Sequence, residues 1–246
     1  MKRLVLILGS LALLAAEGAA AVIEFTGLDL SIPDGSSSGL VNSQTITPGQ
    51  ASGSITGLKV RLDIGGVAPG GAFNGDLYAT LQHASGAFAV LLNRPGRTDA
   101  DPWGYGDNGL SVTFDDSGAA PDIHTYQVTL GGSAGGPVTG VWGSDGRAVD
   151  PGVVTGAAPR LARLTAFTGV EASGEWTLFL ADLELGGEAR LEGWGIEFVF
   201  APIPEPPAFA LAAGLGLAGF LPRLRGRRIA AIRGRRLQAP DRARDG

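Results

Sequence analysis

A sandwich of antiparallel β-sheets is the fold class that this sequence predicts. Three observations lead there. Short segments that alternate apolar and polar residues recur along the middle of the chain. Turn-forming clusters separate them, drawing on 40 glycines and 15 prolines in 246 residues. No stretch before the C-terminal apolar run repeats its apolar residues with the 3.6-residue period of a helix. Short strands without helices bury their apolar faces by packing as two facing sheets.

Taken in order, Val22 to Ile32 alternates loosely and ends at Pro33-Asp34-Gly35, with Ser36 to Ser38 read as a loop. Ser54 to Ile64 alternates more clearly: Leu58, Val60, Leu62 and Ile64 are separated by Lys59, Arg61 and Asp63, the pattern of a half-buried strand. Asp76 to His83 and Ala87 to Asn93 form a hairpin around Ala84-Ser85-Gly86. Leu110 to Phe114 is a short strand. Ile123 to Leu130 and Leu161 to Phe167 are read as strands too. Glu175 to Ala181 and Ala189 to Phe200 complete the set. The Gly-, Pro- and Asp-rich segment from Gly131 to Pro159 is loop or edge structure. Loops of such length are often binding loops.

The two ends of the chain differ from its middle. Residues 1–21 read as a secretory signal peptide: Met1-Lys2-Arg3, an apolar core from Leu4 to Leu14, and a small-residue cleavage site at Ala19-Ala20-Ala21. An uncleaved anchor would want a longer apolar core. Near the other end stand Pro204-Glu205-Pro206, a transmembrane helix at residues 207–221, and Arg223, Arg225, Arg227 and Arg228. Arginines beyond an apolar run mark the cytoplasmic side of a membrane. The uncharged run from Ala208 to Leu221 is shorter than the roughly 20 residues of a straight span. A basic tail, 229–246, follows. The expected division is therefore 1–21 leader, 22–201 exported domain, 202–228 sorting segment and 229–246 tail.

Charge follows the same division. Residues 22–201 hold 20 acidic and 8 basic residues, a net charge of −12, whereas the stretch from Arg223 onward holds nine arginines and two acids. An acidic domain is a poor partner for nucleic acid, whose phosphates require basic patches. There is no cysteine, which removes thiol catalysis, disulfides and cysteine-held zinc.

The order Pro-Glu-Pro, apolar span, arginine cluster resembles the PEP-CTERM sorting signal. That resemblance implies recognition at the membrane by an exosortase-type sorting protease. A plain membrane anchor is the simpler alternative. A second resemblance lies in the exported part. Gly75-Asp76-Leu77 with its alternating strand, Gly174-Glu175-Trp176-Thr177-Leu178-Phe179-Leu180-Ala181-Asp182, and Leu191-Glu192-Gly193-Trp194-Gly195-Ile196-Glu197-Phe198 resemble strands of the P domain. P domains are the jelly-roll modules that follow the catalytic domain of kexin- and furin-like proprotein convertases. The resemblance is strongest over residues 55–198 and implies a jelly-roll-like sandwich. The chain departs from it at His83-Ala84-Ser85-Gly86, where the family carries Ser-Pro-x-Gly. It departs again at Leu185-Gly186-Gly187-Glu188, where the family has Gly-Asp.

Catalytic motifs are present by letter only. Gly35-Ser36-Ser37-Ser38-Gly39 matches GxSxG, but no helix follows to make a nucleophile elbow. Gly214-Leu215-Gly216-Leu217-Ala218-Gly219 matches GxGxxG within the apolar run, where small residues favour close helix packing. His83 and His124 are read as polar surface or loop residues. Asp99, Asp101, Asp107, Asp115 and Asp116 crowd one region, and with Asp76 they are the candidate ligands of a Ca²⁺ ion, which takes six to eight oxygens. A solvated acidic loop is the simpler reading of them. Asp182 would join such a site only if the fold brings it close. Trp103 and Tyr105 are the aromatics that could stack on sugar rings.

The expected function is that of a non-enzymatic module, exported, sorted to the cell envelope and processed there by an exosortase-type protease. Its expected surroundings are the membrane and extracellular polysaccharide of a surface or biofilm matrix. Two alternatives stay open: a secreted hydrolase with an unrecognised site, and a partner of a separate secreted protease.

Overall fold

The chain passes back and forth between two sheets, staying in one sheet only for the consecutive pairs of its fourth and fifth and its sixth and seventh strands. The computed structural model describes residues 20–67 and 71–201. The leader core, Pro204, Glu205, Pro206, the helix expected at 207–221, the four arginines and the basic tail lie outside these residues. Among the described residues no helix is long and apolar enough to cross a membrane.

Among the described residues there are nine strands: β1 (Ala20–Ile32), β2 (Ser36–Ile46), β3 (Ile55–Gly66), β4 (Leu77–His83), β5 (Phe88–Asn93), β6 (Leu110–Asp115), β7 (Val138–Trp142), β8 (Gly174–Asp182) and β9 (Ala189–Phe200). One sheet has the order β1-β9-β3-β6-β7 and the other β2-β8-β4-β5. All pairings are antiparallel except β6 with β7. Each sheet turns its apolar face to the other. Leu58, Val60, Leu62 and Ile64 of β3, Trp194, Ile196 and Phe198 of β9, and Trp176, Leu178 and Leu180 of β8 fill the interior. The two quoted tryptophan segments are thus inner strands of opposite sheets. Trp176 lies 5.5 Å from Phe198 across the sandwich, edge to face.

Four local expectations are corrected. Ser36–Ser38 is not a loop but the start of β2. Gly39, at φ +57°, forms a bulge between Ser36 and Leu40, and a side chain there would strike the Leu180 carbonyl. The GxSxG letters therefore spell a turn and a bulge. Ile123–Leu130 is not a strand. Ile123–Thr125 forms a 3-10 turn and Tyr126–Leu130 a short α-helix, α1. Parallel strands β6 and β7 need a crossover between them, and this segment supplies it. Asp122 caps its start by accepting the His124 N–H, and Gly131 ends it at φ +77°. Leu161–Phe167 is likewise no strand: a 3-10 turn at Leu164–Phe167 buries Leu164 and Phe167 one turn apart. Both histidines are buried rather than exposed.

The long segment from Gly131 to Pro159 resolves into edge structure. Its first part is β7, at the rim of one sheet. Its continuation covers β5, the rim of the other: Asp145 and Gly146 donate backbone N–H bonds to Leu91 and Val90, and Val90 donates to Ala162. One open edge is thereby closed against pairing with other chains.

Candidate functional site

The strand ends at one side of the β2-β8-β4-β5 sheet bring together charges that are far apart in sequence. Asp182 is the last residue of β8 and pairs with Leu77 of β4 on one side and Ser36 of β2 on the other. The β1–β2 turn adds Asp34, the 3-10 turn Asn74–Asp76 adds Asp76, and the loop after β8 adds Glu184. Strand alternation places Asp182 on the same face as Trp176, Leu178 and Leu180, the face of the core. It is 1% exposed, and its carboxylate meets no side-chain hydrogen-bond donor, with only the Glu184 backbone N–H nearby to ease its charge.

Arg94, at the end of β5, is the cation of this corner. Its Nη2 lies 2.9 Å from Glu184 Oε1 and 3.7 Å from Asp76 Oδ1. Its Nε donates to the Gly75 carbonyl, and Nη2 also donates to the Pro102 carbonyl. Asp34 accepts the Gly186 N–H. Burial pushes Asp76 up to about 6, against the pull of Arg94. Burial, then the negative charges of Asp76 and Asp34, pushes Asp182 up to about 7. A cleft of about 270 Å³ opens over Asp76 and Glu184, walled by Phe73, Trp103, Tyr105 and Leu185. Trp103 is 65% exposed at its mouth and Leu185 84%.

The remaining aspartates expected as calcium ligands do not converge with Asp76. Asp107 accepts bonds from Tyr126 Oη at 2.9 Å, Gln127 Nε2 at 2.6 Å and the Ser133 hydroxyl. Asp116 accepts from Ser144, from the Leu164 N–H and from Arg163. Asp115 holds the Ser117 turn and Asp101 the Trp103 N–H, while Asp99 is exposed. Among the described residues, no group of three or more His, Asp or Glu side chains already forms an ion cage.

Neither histidine is placed for base catalysis on a solvent-borne substrate. His124 Nδ1 lies 2.9 Å from Asp145 and Nε2 lies 3.3 Å from the Arg97 carbonyl. His83 bridges Ser85 and the Ser173 carbonyl and packs on Trp176 at 4.6 Å. Ser144, beside Asp145, gives its hydroxyl proton to Asp116 and not to His124.

Burial alone would raise Asp107, but bonds from Ser133, Gln127 and Tyr126 outweigh it and hold the carboxyl below its usual range. Asp122 is likewise raised by burial but held low, chiefly by Arg147. A depressed carboxylate contributes stability that is complete above its unfolded value near 3.9 and is lost as pH falls through the folded value. Melting temperature is therefore expected to fall below about pH 4. Asp107→Asn should flatten part of that acid limb in a thermal-melt series.

Inward Asp182 left a trace in the sequence, since it breaks the apolar series of alternate residues in β8. Arg94, Glu184 and Asp34 left none, because only the pairing of β2, β4 and β8 brings their loops together.

Fold and corner together define a two-sheet, all-β domain with buried acidic side chains at one end. No protein-family model and no curated protein matches the chain. Among solved structures, it is similar to a chain in the complex of the Aeromonas sobria serine protease with its chaperone ORF2. The TM-score is 0.38 and the identity 14%, over 75% of this chain and 27% of that one. This chain spans about a quarter of its neighbour's length, and the superposition is too loose to transfer fold or function.

Proposed function

We propose that the chain is an exported, non-enzymatic, P-domain-like jelly-roll module, sorted to the cell envelope and processed there by an exosortase-type protease. The observation that carries this reading is the order Pro204-Glu205-Pro206, apolar run, arginine cluster, set behind a β-sandwich and opposite a leader-like N-terminus. Two structural features support the module assignment. The segments that resemble P-domain strands are β8 and β9, inner strands whose Trp176 and Trp194 are buried in one core. The Gly-Asp-Leu segment leads into β4, which pairs with β8. The non-enzymatic reading rests on His83 and His124, whose ring nitrogens are taken up inside the fold.

Processing is tested by replacing Pro204-Glu205-Pro206 with three alanines in the native host. The reading expects the variant to keep its C-terminal segment and stay in the membrane fraction, while the wild type is shortened. Identical C-termini in the two proteins would remove the sorting assignment.

A further inference from the structure

We propose that the corner formed by the ends of β2, β4 and β8 binds a divalent cation of the Ca²⁺ class through the carboxylates of Asp182 and Asp76. A buried carboxylate is retained only when hydrogen bonds, an opposite charge or a metal compensates its lost hydration. Asp182 is buried at a core position, and its oxygens meet no side-chain donor and no cation, only the Glu184 backbone N–H. Its neighbours Asp34, Asp76 and Glu184 add negative charge. The cation among these groups, Arg94, is taken up by Glu184 at 2.9 Å, by the carbonyls of Gly75 and Pro102 and, at 3.7 Å, by Asp76, and it forms no ion pair with Asp182.

The donor set indicates the class of ion. Every side-chain donor is a carboxylate oxygen, and no imidazole or sulfur is available. Hard oxygen donors suit Ca²⁺ and Mg²⁺, and Ca²⁺ tolerates the irregular geometry that loop ends provide. Two carboxylates are too few to fill the shell, so backbone carbonyls and water complete it. The cleft over Asp76 supplies a path from solvent. Bound cation would also hold three separate chain turns together.

The test uses the full-length protein in detergent, stripped with EDTA, at pH 8. CaCl₂ at about 100-fold excess over Kd should raise the melting temperature by about 5–10 °C. Tb³⁺ should show luminescence sensitised by Trp103 and Tyr105 at the cleft wall. Asp182→Asn should abolish the calcium shift while raising the melting point of the stripped protein. Asp76→Asn gives a second reading if Asp182→Asn does not fold. Asp99→Asn with Asp101→Asn, both in the neighbouring acidic loop, should leave the shift intact. Absence of any calcium shift in the wild type overturns the proposal. So does a shift that survives undiminished in the Asp182 or Asp76 variant.

Discussion

Asp145→Ala is expected to destabilise the protein by roughly 3–5 kcal/mol, the range for removing one partner of a buried ion pair. Asp145 is fully buried, and its carboxylate accepts from His124 Nδ1, the Asn93 N–H, the Arg147 N–H and Arg147 Nη1. Arg147 in turn reaches Asp122 and the Gly156 carbonyl. This network fastens the segment after β7 to β5 and so closes one edge of the sandwich. Removing Asp145 takes one of the two carboxylates from buried Arg147, leaves the Asn93 N–H unpaired and His124 half-partnered, and loosens the covering segment. The loss is a large part of a typical domain's 5–15 kcal/mol. Lys59→Ala makes the contrast. Lys59 pairs with Glu197 at 2.9 Å on an outer face where both side chains are about one-third exposed, and such pairs contribute about 1 kcal/mol or less. Urea unfolding of the three proteins measures both losses.

Trp176→Ala is expected to cost roughly as much, 3–5 kcal/mol, by emptying the centre of the core. The indole is fully buried between Phe167 at 5.0 Å, Phe198 at 5.5 Å and His83 at 4.6 Å. Its Nε1–H donates to the Ala172 carbonyl at 2.9 Å, which the alanine variant leaves unpaired. Trp176→Phe keeps an aromatic ring but loses that donor, so it should fall between the wild type and alanine in the same measurement.

How much of this could be read from the sequence depends on how local the deciding physics is. β3 was legible because Leu58, Val60, Leu62 and Ile64 alternate with charges on a half-exposed sheet. β8 and β9 were legible for the same reason, with tryptophans marking the inner face. Ile123–Leu130 was misread because its apolar letters mimic alternation. In the fold Val128 is 76% exposed and, of the segment's apolar residues, only Ile123 and Tyr126 are buried. The caps Asp122 and Gly131 were the better guide. The aspartate crowd was visible, but its members serve different turns, and which of them meet is decided by strand pairing. Burial of both histidines escaped notice because each is covered by residues distant in sequence.

Export of the sandwich and its release from a C-terminal membrane segment are the core of the proposed function. The most direct measurement is intact mass spectrometry of the protein recovered separately from cells and from culture medium. The expected species is a medium or surface form that begins at Val22 and ends near Pro204-Glu205-Pro206. A single full-length species from Met1 to Gly246, confined to the cells, would contradict it.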